Sequence, residues 1–447
     1  MNRHGTKTLF QLCYPLFLNG FLSLAVTLAD QMIISSYSDA AAAAISIANQ
    51  VLGVAYDLSG LLAVGGVILV ARSLGAGDEA RARQIANVAI VANAALSLLI
   101  ALVLVPAGPL VLSMINTPPE IVGDARVYIH VIAAAMVFNG FLSAAVAVLR
   151  AFGHVKAILL LGVFANVLYI GLEYALIHGW GPVPSLGVFG SALATLAVRV
   201  TGVLLLVWIL ARRLQLQRRS GLAARAWAAL VRRLFMLSYP SVLDNMAYAF
   251  CQLIFVGFIA GLGVSAVLGR SYTLSLTAFL SLIVMTISQG NEVMVGWRVG
   301  AGDAAAARAR ALRSAAIAAV LATALAVVLY LFARPLIGLF TANEEVHASA
   351  RQLLLLSIFL QPVTALNMVL FNSLKAAGDV LAPVVASQLV MWLVALPLAW
   401  VLTRHHGMGV AALWIVFIVE ETLKSAYMLH RWLRGRWQPM GLAAAAA

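Results

Sequence analysis

Seven carboxylic acids of this chain sit in unusual company. Asp30, Asp57, Glu173, Asp244, Glu292, Glu420 and Glu421 each fall inside a long apolar stretch, while the rest of the 16 acids fall in the polar joins between stretches. A charge held in hydrocarbon costs a few kcal/mol even on the milder scales, so such residues face a polar cavity and mark an ion or substrate path. A carboxyl withdrawn from water also holds its proton more tightly and can exchange it near neutral pH. The chemistry on offer is reversible protonation or cation binding. With only Arg199 and Arg270 as bases inside the stretches, an acid-lined interior favours cationic ligands. A plainer, structural role stands beside each assignment. Asp30, Glu173 and Glu292 lie near the ends of their stretches, whereas Asp57 and Asp244 lie nearer the middle. Glu420 and Glu421 are adjacent and point different ways, so one of them can meet Lys424 on its own helix.

The elements that carry these acids are membrane helices. Of the 447 residues, 63% are hydrophobic and only 10% charged, with a mean hydropathy of +1.00. Soluble chains carry about 25% charged residues. Residues 84–119, 127–149, 314–333, 352–374 and 380–403 contain no Asp, Glu, Lys or Arg. Helices of about 20 apolar residues cross a bilayer, whereas strands would alternate over about 10 residues, and no alternation is present. The pattern predicts spans at 9–35, 44–71, 86–113, 125–149, 157–178, 187–211, 234–261, 266–297, 314–333, 347–373, 381–403 and 409–430. The first is too long and too polar at its centre to read as a cleaved signal peptide.

The net charge of +13 reads as a topology signal and not as a nucleic-acid footprint. With the N-terminus inside, 23 Lys and Arg fall on the inner side, Lys424 among them, and only Arg126, Arg334, Arg351 and Arg404 on the outer side. That bias predicts both termini in the cytoplasm. Cys13 and Cys251 fall within spans and read as small core residues, not as a disulfide or a metal site.

The chain also repeats itself. Tyr14-Pro15 returns as Tyr239-Pro240, Gly75-Ala76-Gly77-Asp78 as Gly300-Ala301-Gly302-Asp303, and Leu149-Arg150-Ala151-Phe152-Gly153 as Leu374-Lys375-Ala376-Ala377-Gly378, each time 225 residues on. Three landmarks at one spacing are a duplication. Each half holds six spans, so the repeats are parallel and the expected cavity lies between them. The expected organisation is an N-terminal lobe over 1–211, a basic join over 212–233 and a C-terminal lobe over 234–447. The join reads equally as an amphipathic surface helix or as a solvated linker. The Gly-Ala-Gly-Asp loops lack the strand and the Lys-Ser or Lys-Thr of a phosphate loop. They read as tight turns in which glycine supplies backbone freedom and Asp78 or Asp303 caps the next helix. No ATP-binding motif appears, so transport must draw on an ion or substrate gradient.

Taken in order, these pieces resemble the MATE (multidrug and toxic compound extrusion) family along nearly the whole chain. The matching segments are Leu28-Ala29-Asp30, the Gly75-Ala76-Gly77 turn with its repeat, the segments at 149–153 and 374–378, and Leu186 to Thr195. The resemblance implies twelve helices in two six-helix bundles, alternating access, and export of organic cations against inward H⁺ or Na⁺. It places the family's span-one acid on Asp30, its span-five acid on Glu173 and its span-six threonine on Thr195. Where the family often has asparagine, this chain has Tyr169, with Asn166 about a turn earlier. The sodium-coupled branch also uses acids in spans seven and ten. Those positions fall near Tyr248 and Thr364, with Asp244 one turn from the first, so the resemblance favours proton coupling through Asp30 and Glu173. Their counterparts in the second repeat, Phe255 and Leu398, are not acidic.

The reading is therefore an all-α integral membrane antiporter, not an enzyme. It is expected in a bacterial inner membrane as a monomer among lipids, with organic cations as substrates, no cofactor beyond H⁺ or Na⁺, and no nucleic-acid partner. The alternative is a flippase for a lipid-linked precursor, which would need a basic cavity for its diphosphate. A receptor role fits poorly with acids in both halves. A major-facilitator transporter would carry a charged Gly-x-x-x-Asp-Arg loop that is absent at 75–79.

Overall fold

A computed structural model describes residues 7–114, 117–181, 184–214, 223–404 and 409–438. These are helical almost throughout and contain no β-strand. In chain order the helices are α1 (Leu9–Tyr37), α2 (Asp39–Ser59), α3 (Leu61–Gly75), α4 (Glu79–Met114), α5 (Pro119–Ala151), α6 (Val155–His178), α7 (Gly187–Leu214) and α8 (Ala224–Ala260). They continue as α9 (Val264–Gly300), α10 (Ala304–Leu331), α11 (Ala333–Gly338), α12 (Glu344–Ala376), α13 (Leu381–Val390), a π-helical turn (Met391–Ala395), α14 (Leu396–Arg404) and α15 (Ala411–Leu433).

Among the described residues, 11 segments are long and apolar enough to cross a bilayer, counting α2–α3 and α13–α14 as one each. The twelfth expected span is α15, which carries Glu420, Glu421 and Lys424 in a single turn. Helices overrun the apolar stretches because nothing in the flanking residues breaks them. Thus α10 starts at Ala304, ten residues before its uncharged stretch, and runs through Arg308, Arg310 and Arg313. The basic join behaves likewise. Residues 215–222 lie outside the described residues, but 224–233 are neither a linker nor a separate surface helix. They are the first turns of α8, which continues through Pro240 to Ala260 because no glycine interrupts its Ala- and Leu-rich start.

Contact density divides the chain into two compact units, one formed by Leu18–Leu74 and Asp78–Val242, the other by Met1–Phe17, Gly75–Gly77 and Leu243–Ala447. In the first, the core is built from α2, α4 and α5, with Ala48, Leu52, Ile129, Ile132 and Met136 fully buried. Its second span breaks at Gly60, and a side chain repairs the break. Asn93 on α4 accepts from the Leu62 amide at 3.0 Å and donates to the Ser59 and Gly140 carbonyls at 2.8 and 2.7 Å. In hydrocarbon a backbone group has no water to turn to, so Asn93 stands in for the missing helical bonds. Gly140 allows the approach, since a Cβ there would lie 2.4 Å from the Asn93 carbonyl oxygen. Asn93→Leu is expected to destabilise the protein by about 1–3 kcal/mol for the orphaned Leu62 amide alone. Thermal unfolding in detergent checks this, and an unfolding temperature equal to wild type would refute the bridging role.

In the second unit α10 presents a ridge of alanines at 307, 311, 315, 318, 322 and 326, all at most 1% exposed, within a core shared with α9 and α12. Small residues at helical spacing let membrane helices pack backbone to backbone. Cys13 and Cys251 are buried free thiols in this unit.

The duplicated turns are duplicated in conformation. Gly77 and Gly302 have φ of 82° and 76°, and Gly153 and Gly378 have 73° and 81°. Only glycine enters that region without strain. Asp78 Oδ1 accepts from the Arg81 amide at 2.8 Å, and Asp303 Oδ1 accepts from the Ala306 amide at 2.9 Å. The capping expected from sequence is therefore present in both copies.

Candidate functional site

The first unit gathers the residues that the sequence singles out. Asp30 lies on α1, and Tyr169 and Glu173 lie one turn apart on α6. The Tyr169 hydroxyl is 2.8 Å from Asp30 Oδ1 and 3.0 Å from Glu173 Oε1. Ser191 on α7 donates to Glu173 Oε1 at 3.2 Å. Glu173 is fully buried, and no donor reaches its Oε2.

Counting protons shows what this arrangement does. A phenol has one hydrogen to give, yet its oxygen faces two carboxyls. When the phenol gives that hydrogen to one acid, the other acid can bond the phenol oxygen only by donating a proton of its own. Both contacts at the Tyr169 oxygen are hydrogen bonds only when one of the two acids carries a proton. Tyr169 was a departure from the expected asparagine, yet it is the central member, because its phenol reaches both acids from one turn away.

A basic side chain lies beside this cluster. Arg199, two turns beyond Ser191 on α7, donates to the Tyr56 hydroxyl at 3.0 Å, and its guanidinium stands 4.9 Å over the Tyr56 ring. Arg199 Nη1 is buried without a hydrogen-bond partner. Buried Tyr128 on α5 lies close enough to feel the charge of Asp30, Glu173 and Arg199.

The other expected residues are placed differently. Asn166, one turn before Tyr169, has a buried Nδ2 without a partner. Thr195 is half-buried on α7, and the hydroxyl that meets Glu173 is that of Ser191, one turn earlier. Asp57 is exposed on α2 and is not part of the acid cluster. Glu292 is buried on α9, in the second unit.

Asp244, also in the second unit, belongs to a cluster that sequence reasoning only partly saw. Gln388 on α13 donates to Asp244 Oδ1 at 2.6 Å, and Trp392 in the π-helical turn donates to Gln388 Oε1 at 3.0 Å. On α15, Lys424 Nζ is 2.5 Å from Glu420 Oε1 and 3.6 Å from Glu421 Oε1. Asn367 on α12 donates to Glu421 Oε2 at 2.9 Å. Lys424 is only 5% exposed, so it is not one of the flanking charges among which it was counted. The signal that could have found it was present: a Glu-Glu-x-x-Lys run inside an otherwise apolar span.

The MatE family profile matches residues 15–175 and again 240–401, so its two matches begin 225 residues apart, as the internal repeat does. The transporter YisQ of Bacillus subtilis (strain 168) is 31% identical over 98% of this chain and 96% of its own length. A protein described as a probable multidrug resistance protein, NorM of Thermotoga maritima, is 24% identical over 97% of this chain and 93% of its own. Among solved structures, the Vibrio cholerae MATE transporter VcmN in its bent form superposes with a TM-score of 0.87 at 20% identity, covering 97% of each chain. A MATE protein in a straight conformation gives 0.86 at 20% identity, covering 97% of this chain and 96% of that one. The chain belongs to the MATE family of multi-pass membrane transporters, and it is not an enzyme.

Proposed function

We propose that this protein is a secondary antiporter that exports amphipathic organic cations in exchange for protons moving inward, by alternating access, with both termini in the cytoplasm. The observation that carries the reading is the Asp30–Tyr169–Glu173 cluster, whose single phenol hydrogen cannot serve both acids, so that one of them needs a proton. A proton entering from outside neutralises the acids. Its departure to the inside leaves a buried anionic pair that an organic cation can balance. Proton and substrate thereby compete for one charge, and competition of that kind couples their opposite movements. No ATP motif offers another energy source. Multidrug relatives support small-molecule substrates. Against a lipid-diphosphate flippase, the one lysine buried on α15 is already paired with Glu420 and Glu421.

Uptake of a fluorescent cation into inverted vesicles, with pH and sodium gradients imposed separately, tests the reading. A pH gradient alone is expected to drive uptake, and a sodium gradient alone is expected to do nothing. Uptake that follows sodium and ignores pH would overturn it.

A further inference from the structure

The internal repeat links two residues that share no function so far. Arg199 and Lys424 lie 225 residues apart, each in the last span of its half, Arg199 half-buried and Lys424 5% exposed. Thr195 has Glu420 as its counterpart by the same spacing. The surroundings of the two bases differ. In the first unit Arg199 rests on Tyr56. In the second, Lys424 rests among acids.

The side chains in contact with Lys424 lie on its own helix, and Asn367 of α12 is bonded to one of them. Glu420 and Glu421 on α15 supply carboxylate oxygens at 2.5 and 3.6 Å. Asp244 and Tyr248 on α8 are within electrostatic range of this group. Asn367 on α12 orients Glu421 through its amide and leaves a buried Oδ1 with no donor. Lys375 on α12 also acts on Asp244. Oxygen donors of this kind, carboxylate and amide, are those that hard metal cations take. Here a covalently attached ammonium, itself 5% exposed, lies among them.

We infer that Lys424 is a tethered cation that fills the cation site of the C-terminal lobe and so keeps that lobe indifferent to sodium. A lysine ammonium is a compact point charge on a flexible stem, suited to taking an ion's place. The occupant cannot leave, so the site balances its charge without drawing on a sodium gradient. This inference does not depend on the proton cluster around Asp30, because it concerns different residues and is tested by binding and not by transport.

The experiment uses the purified full chain in detergent, with Na⁺ exchanged for choline at constant ionic strength. Radioactive Na⁺ retention and unfolding temperature are the readouts. Wild type is expected to show no saturable Na⁺ retention and no difference in unfolding temperature between the two salts. Lys424→Ala is expected to retain Na⁺ saturably, by about tenfold over wild type and near one ion per chain, and to unfold at a higher temperature in Na⁺ than in choline. The double variant Lys424→Ala with Glu421→Gln is expected to lose that retention. If Lys424→Ala does not survive purification in choline, Na⁺ or methylammonium is expected to rescue it. Saturable Na⁺ retention by wild type that Glu421→Gln removes would overturn the inference. So would a folded Lys424→Ala that ignores Na⁺, or an unfolded one that neither cation restores.

Discussion

Asp30→Asn is expected to abolish cation-driven proton flux in proteoliposomes, by about 100-fold, equivalent to about 2.7 kcal/mol in the barrier to exchange. An amide has the shape of the carboxyl and still accepts from the Tyr169 hydroxyl, so the helix α1 to α6 contact survives. What it loses is a releasable proton. Without it, Glu173 is the only acid left in the cluster, and an empty, doubly anionic state that calls for an organic cation is never formed. Asp57→Asn is the internal control. Asp57 is an acid of the same unit and of a neighbouring helix, but it is exposed and outside the cluster. Its replacement is expected to change flux by no more than about twofold, the range of ordinary surface substitutions. Equal loss in both variants would show that acids in these spans matter for general charge and not for this geometry.

Tyr169→Phe is the second large effect. The substitution keeps the ring and removes the one hydroxyl that is 2.8 Å from Asp30 and 3.0 Å from Glu173. A hydrogen bond to a charged group contributes about 1.5–3 kcal/mol, so exchange is expected to slow by about 10-fold to 100-fold. The phenol's hydrogen favours the ionised acid, and its removal favours the protonated one. Release of the coupling proton then needs a more alkaline interior, and the pH profile of transport is expected to move upward relative to wild type. Ser191→Ala, which removes a longer bond of 3.2 Å to the same Glu173, is expected to move the profile in the same direction by less. A profile that keeps its position while the rate falls would assign Tyr169 a packing role only.

Much of this molecule is legible in its sequence, and the reasons differ from place to place. The spans are legible because hydrocarbon leaves only one solution for a backbone, and the repeat is legible because glycine turns tolerate few substitutes. Gly77, Gly153, Gly302 and Gly378 all adopt positive φ. The pair Asp30 and Glu173 was found because acids are costly in a span. Tyr169 was seen only as a departure, although its spacing of one turn before Glu173 places both side chains on one face. The choice between Ser191 and Thr195 could not be read, since both lie on the same stripe of α7 and only packing decides which hydroxyl reaches Glu173. The break at Gly60 is not legible because its repair comes from Asn93, 31 residues beyond Leu62 in sequence. Lys424 was miscounted as a surface charge because hydropathy cannot distinguish a base at a helix end from one neutralised by Glu420 and Glu421. The overrun of α8 and α10 into basic segments has the same origin: apolarity marks where lipid is, while helix propensity decides where the helix stops.

The central claim is that proton and substrate compete for the charge of the Asp30–Tyr169–Glu173 cluster, and a direct measurement is proton release on binding. Purified protein in a lightly buffered detergent solution is titrated with a monovalent organic cation while pH is recorded. Wild type is expected to release about one proton for each cation bound, with release vanishing in Asp30→Asn and falling as the starting pH is raised past the point where the cluster is already empty. Saturable binding of the cation by wild type with no proton released at any pH would contradict the claim.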